Sequence, residues 1–126
     1  MGNSEVGHMN IGAGRIVDMG LRKIERSIEN KEFSSLPGIM RFSNTIKAAK
    51  GNAHLCGVLS DGGVNSHIDN MIETAKILEN LGLKIILHLF GDGRDVAPKS
   101  IQTYLGYLNS SIVINTTICS LTGRYY

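Results

Sequence analysis

The chain has 126 residues, 42% of them hydrophobic and 19% charged. That balance is ordinary for one globular domain, or for one domain with a strip of another. A formal charge of +2, with no run of like charges, gives no electrostatic footprint for nucleic acid, and no apolar stretch of roughly 18 residues is available to cross a membrane.

Residues 1–15 lack the apolar core of a signal peptide. Cys56 and Cys119 each sit in an apolar run and outside any Cys-x-x-Cys pair. They are expected as buried free thiols of a chain in the reducing cytoplasm.

The opening run, Met-Gly-Asn-Ser-Glu-Val-Gly-His, puts Ser4 at a glycine-flanked entry to a helix. A hydroxyl there can face a phosphate alongside backbone N–H groups aimed at the same anion. It can equally be an ordinary N-cap. His8, four residues on, can share a helical face with Ser4 or simply pack. Val17, Leu21, Ile24 and Ile28 then fall on one helical face, and Asn30-Lys31 ends that helix. After a turn from Phe33 to Pro37, a helix is expected over about 38–50, with Ile39, Phe42, Ile46 and Ala49 inward and Gly51-Asn52 as its stop.

From Ala53 the pattern changes. Ala53 to Leu59 reads as a buried strand. His67 to Leu81 reads as a helix whose inner face is Ile68, Met71, Ile72, Ala75, Leu78 and Leu81. Gly82 suits the left-handed residue past its end. Lys84 to Phe90 is a second buried strand. Pro98 is placed to open a helix to about Asn109, with Ile101, Leu105 and Leu108 inside. Ile112 to Leu121 is a third strand, rich in Ile, Val and Thr.

The fold class is therefore α/β: a partial three-layer sandwich built on a mainly parallel β-α-β-α-β sheet, with two helices before it. Strands this apolar argue for a parallel sheet covered on both faces. Ligands of such sheets sit outside the carboxyl ends of the strands. Three polar loops fall there: Ser60–Ser66, Gly91–Asp95 and Thr122–Arg124. The first can present amides, hydroxyls and an imidazole to an anion, or serve only as a strand-to-helix turn. In the second, Arg94 offers a planar fork matched to carboxylate or phosphate. Asp95 can accept from a substrate hydroxyl or hold Arg94. Arg124 supplies a second guanidinium. Spacing alone thus reaches an anion-binding α/β domain with a serine nearby.

The runs MGNSEVGHMNIGAGR, LSDGGVNSHID, LFGDGRDVAPKS and TGRYY, in this order, resemble cofactor-independent (2,3-bisphosphoglycerate-independent) phosphoglycerate mutase. The resemblance covers the whole chain. It implies an enzyme several times longer, in which a phosphotransferase domain is inserted into an alkaline-phosphatase-like domain that binds two Mn²⁺ or other divalent ions. Residues 1–15 would be a remnant of the phosphatase-like domain carrying the nucleophile. Residues 16–126 would be the first part of the inserted domain. Ser4 then matches the nucleophile and a metal ligand, and Arg94, Asp95 and Arg124 match substrate-binding positions. Asn65 stands where the family usually has a substrate-contacting His. It can hydrogen-bond but cannot carry a proton or positive charge.

The implied substrates are small molecules, 3-phosphoglycerate and 2-phosphoglycerate, with no nucleic acid or membrane partner, in a family that is usually monomeric. One serine cannot hold two divalent ions, so this chain alone is not expected to bind both or to turn over substrate. The alternative is a stand-alone phosphate- or carboxylate-binding module that has lost catalysis; a phosphate-ester hydrolase relative is a third reading. A three-stranded part of a larger sheet would also have an exposed edge and a tendency to associate.

Overall fold

In the computed structural model, the described residues are 4–16, 20–112 and 114–124, the side chains of Ser4 and Glu5 excepted. Helix α1 spans Ser4–Ala13 and α2 spans Gly20–Glu29, followed by a single 3-10 turn at Phe33–Ser35 and α3 at Pro37–Ala49. Strand β1 (Ala53–Leu59), α4 (Ile68–Asn80), β2 (Ile85–Gly91), α5 (Ile101–Ser111) and β3 (Thr116–Gly123) complete the order. Among the described residues no helix is long and apolar enough to cross a membrane.

The strands form one parallel sheet in the order β1-β2-β3. Ala53 pairs with Ile85 and Leu59 with Gly91, while β2 meets β3 through a register shift between Leu87 and His88. Two consecutive crossovers in one direction put both connecting helices on one side when each is right-handed. The packing agrees. Gly57 and Gly91 lie on the same sheet face, and a Cβ added to Gly57 would meet Met71 of α4, while one added to Gly91 would meet Ile101 of α5. Ala53, Leu59, Ile85, Leu87 and Leu89 interlock there with Ile68, Ile72, Ala75, Leu78 and Leu108, all nearly or fully buried. This is the core.

The α/β class and parallel sheet are as the sequence leads one to expect. The second cover is not supplied: among the described residues, helices lie against one face. His54, Cys56 and Phe90 are exposed on the other, and Ile86 and His88 are half-buried. That face carries a hydrogen-bonded row. His54 Nδ1 lies 2.9 Å from His88 Nε2, and His88 Nδ1 lies 2.8 Å from Ser120 Oγ. The two rings are nearly coplanar, 14° apart, so the contact runs edge to edge. The expected burial of the cysteines fails for the same reason. Cys56 points to the open face, and Cys119 falls at the register shift of β3, the outer strand, where it too is exposed.

Helix ends follow local chemistry. Gly82 has φ of 84°, as its placement past α4 requires. Lys31 and Lys50 take the same left-handed conformation at φ of 59° and 52° after α2 and α3. The α4 inner face is buried as expected, with Leu81 only partly so. Three expectations shift. Phe42 and Ala49 of α3 and Ile24 of α2 are exposed, because α3 buries only Ser43 fully and α2 packs beside α4 rather than across the sheet. Pro98 does not open α5: Lys99 is left-handed, at φ of 67°, which breaks the helix until Ile101. The third strand begins at Thr116, not Ile112, because α5 runs on to Ser111. Val17 lies outside the described residues.

Candidate functional site

Parallel pairing brings the carboxyl ends of all three strands to one rim. Ser60 follows β1, the run Asp92–Asp95 follows β2, and Arg124 follows β3. Asp92 joins them. Its side chain is 1% exposed. Oδ1 accepts the backbone N–H groups of Gly93 at 2.7 Å, Arg94 at 3.0 Å and Asp95 at 3.2 Å. A short carboxylate that bonds the amides just after it is what makes an Asp-Gly sequence turn here. Oδ2 accepts the Ser60 hydroxyl at 2.5 Å.

Arg124 closes the cluster. Its Nη1 donates to Asp92 Oδ1 at 3.0 Å and to Asp95 Oδ2 at 2.6 Å. Burial pushes the Asp92 carboxyl up. The hydrogen bonds from Ser60 and from the amides of Arg94, Gly93 and Asp95 outweigh that and hold it well below the usual carboxylate range. Hydrogen bonds to Asp95 and Asp92 raise the Arg124 guanidinium above its already high value.

The five residues expected from the sequence are thus distributed unequally. Asp95 and Arg124 meet directly. Asp95 holds Arg124 rather than Arg94. The Arg94 guanidinium is exposed and has no partner among the described residues. Arg124 is therefore largely neutralised by two carboxylates, while the Arg94 guanidinium stands exposed at the same rim. Asn65 is exposed and lies apart from these bonds; it lines a cavity of about 180 Å³ with Leu21, Ile24, His67 and Asn70, between α2 and α4. Ser4 begins α1, but its side chain lies outside the described residues. His67 serves α4 as its N-cap, Nδ1 accepting the Asp69 N–H at 3.3 Å.

Sequence reading passed over the residue that organises the rim. Asp92 lies within the Gly91–Asp95 run, where Arg94 and Asp95 carry the more obvious ligand-binding chemistry. The signal was there: an Asp followed by Gly at a strand end. Two phenol–carboxylate bonds were also not anticipated. Tyr104 donates to Asp61, and Tyr107 donates to Asp69 at 2.8 Å, bordering a cavity of about 290 Å³ beside Ile68 and Thr103.

A divalent cation needs several oxygen, nitrogen or sulfur ligands around one point. Among the described residues no group of three or more His, Cys, Asp or Glu side chains offers that. The donor set among the described residues does not fit a pair of cations.

Comparison with known proteins gives one consistent answer. The profile of the family described as "BPG-independent PGAM N-terminus (iPGM_N)" matches residues 24–126. A 2,3-bisphosphoglycerate-independent phosphoglycerate mutase of Agrobacterium fabrum is 47% identical over all 126 residues, and that of Dinoroseobacter shibae is 46% identical over the same span. The chain covers 25% of the length of each. A crystal structure of Leishmania mexicana phosphoglycerate mutase, obtained at low cobalt concentration, superposes with a TM-score of 0.76 at 31% identity, over 98% of this chain and 24% of that one. With most of its length matched by the family profile and its fold shared with a solved mutase, the chain belongs to the BPG-independent phosphoglycerate mutase N-terminal family.

Proposed function

We propose that these 126 residues are the N-terminal part of a cytoplasmic, divalent-cation-dependent phosphoglycerate mutase that interconverts 3-phosphoglycerate and 2-phosphoglycerate through phosphoserine at Ser4. What carries this reading is the similarity over the full 126 residues to proteins of that named activity. Residues 1–15 would belong to the part of the enzyme that bears the nucleophile, and residues 16–126 to the part that holds the acid.

The chemistry is a double displacement. Ser4 Oγ attacks the phosphorus of 3-phosphoglycerate while the bond from phosphorus to the glycerate 3-oxygen breaks. The serine loses its proton and the departing oxygen gains one. Glycerate reorients, its 2-oxygen attacks the phosphoserine, and the hydroxyl of Ser4 is restored. The rim supports the binding half of this cycle. The free fork of Arg94 suits a carboxylate or phosphate in two-point contact. Asp95 spends Oδ2 on Arg124 and keeps Oδ1 for a glycerate hydroxyl. Asn65 would enter only as a neutral hydrogen-bonding group.

The reading is tested by grafting residues 1–126 in place of the matching quarter of the Agrobacterium fabrum relative. The graft should convert 3-phosphoglycerate to 2-phosphoglycerate in a coupled assay, and Ser4→Ala should abolish that. A folded graft without turnover, or a Ser4→Ala graft as active as its parent, would refute it. The 126-residue chain alone, with Mn²⁺ supplied, should show no turnover above background.

A further inference from the structure

The rim contains one side chain that bonds to all three strand ends and is hidden from any ligand. Asp92 is 1% exposed, so it cannot touch substrate. It accepts from Ser60 after β1, from the amides of its own loop after β2, and from Arg124 after β3. We propose that Asp92 is a positioning residue, holding Arg124 and the Gly93–Asp95 backbone in the arrangement that leaves Arg94 unpaired and Asp95 Oδ1 open to the ligand. The inference rests on the reading of this rim as the site for the phosphorylated acid.

The geometry says why one carboxylate is needed. Arg124 Nη1 lies between Asp92 Oδ1 and Asp95 Oδ2. Without Asp92 it would keep one carboxylate and gain freedom to swing. The three amides would lose their common acceptor, and Arg94, whose own N–H is one of them, would lose its fixed exit from the backbone. Ser60 pins the opposite oxygen of the same carboxylate, so the plane of Asp92 is set from both sides. An amide at this position would keep the shape. It would lose the charge and turn one acceptor into a donor.

Asp92→Asn in the full 126-residue chain tests this. Nuclear magnetic resonance of the parent should show downfield amide protons for Gly93, Arg94 and Asp95 and slowly exchanging guanidinium protons for Arg124. In Asp92→Asn the Arg124 signature should be lost and the three amide protons should shift upfield, because the Asn carbonyl is a weaker acceptor than a carboxylate, while the methyl signals of Leu59, Leu87 and Leu108 in the core stay in place. Calorimetry should show 3-phosphoglycerate binding weakened about tenfold or more, the scale of losing one charge-assisted contact. Arg124 signals unchanged in a folded Asp92→Asn chain overturn the proposal, and so does their loss without any fall in affinity. If Asp92→Asn fails to fold, Ser60→Ala decides. There the amide signature should survive, the Arg124 signals should broaden and binding should weaken; unchanged Arg124 signals overturn the proposal. A parent chain that binds no 3-phosphoglycerate would count against the mutase reading of the rim, and the resonance measurements would still decide whether Asp92 holds Arg124.

Discussion

Asp92 Oδ1 and Arg124 Nη1 meet at 3.0 Å across the ends of two neighbouring strands, and the same nitrogen reaches Asp95 at 2.6 Å. The pair changes what the rim can do. Two guanidinium groups near each other suggest a strongly cationic mouth. Two carboxylates cancel one of them, leaving Arg94 as the exposed guanidinium at this rim.

The depressed Asp92 carboxyl makes a prediction about acid stability. A group whose folded-state pKa lies below its unfolded value stabilises the fold above the unfolded value, near pH 4, and loses that contribution as pH falls through the folded value. The parent chain should therefore hold this contribution from neutral pH down to about 4 and lose it progressively below. Asp92→Asn should flatten that acid limb. Urea midpoints measured from pH 7 downward test it; parallel curves for the two chains would count against the cluster as drawn.

Ser60 is 1% exposed, and its hydroxyl is spent on Asp92. Ser60→Ala removes the donor and leaves a buried carboxylate oxygen with one partner fewer. The expected loss is about 1–3 kcal/mol, read from urea denaturation with the slope unchanged. A loss of only a few tenths would mean that water replaces the hydroxyl.

The two thiols should behave as surface groups. Cys56 and Cys119 are both exposed, so a thiol-specific reagent should label the native chain rapidly at both positions. Buried thiols would react only at the rate of unfolding, and that outcome would mean the open sheet face is covered in solution.

Much of this architecture was legible because strands and crossover helices write their periods plainly. Ala53 to Leu59 was readable to the residue, and so was the inner face of α4 from Ile68 to Leu78, since both depend on local hydrophobic spacing. Cys56 was not. An apolar run shows that a strand has two hydrophobic faces but not whether a neighbour arrives to cover the second. Ile112 was misplaced for a related reason: a β-branched residue at a helix end looks the same as one at a strand start, and only the length of α5 separates them. At the rim, loop position identified Arg94, Asp95 and Arg124. Which carboxylate would pair with which guanidinium depends on the strand register, and no single segment encodes that. Asp92 was hidden by its own success: it is buried, and burial is invisible in a polar loop.

Leu108 should be the anchor of α5. It is the one residue of that helix that is fully buried, at 0% exposure. Leu108→Ala removes the helix's hold on the core and should cost about 2–5 kcal/mol, measured by thermal or chemical unfolding. The mirror test is on the sheet side, where Leu87 is equally buried but is held between two flanking strands. If Leu108→Ala were nearly neutral while Leu87→Ala was severe, α5 would be docked by its Tyr104 and Tyr107 bonds rather than by its core contact.

Gly62 tests how tightly the first loop closes over the cluster. A Cβ added there would lie 2.9 Å from the Asp95 Cβ, 3.4 Å from Ser60 Oγ and 3.6 Å from Asp92 Oδ2. The first distance is one that carbon atoms do not tolerate, and Asp95 Cβ is the stiff root of its side chain, so Asp95 itself must move. The direct cost should be about 1–3 kcal/mol, as for overpacking elsewhere. The more telling consequence is chemical: a displaced Asp95 releases Arg124 from its shorter bond while leaving the Asp92 bond in place. Gly62→Ala should therefore loosen the Arg124 guanidinium signals yet preserve the Gly93–Asp95 amide signature. If Gly62→Ala changed neither stability nor the Arg124 signals, the first loop would stand farther from Asp95 than drawn, and the rim would be open on its β1 side.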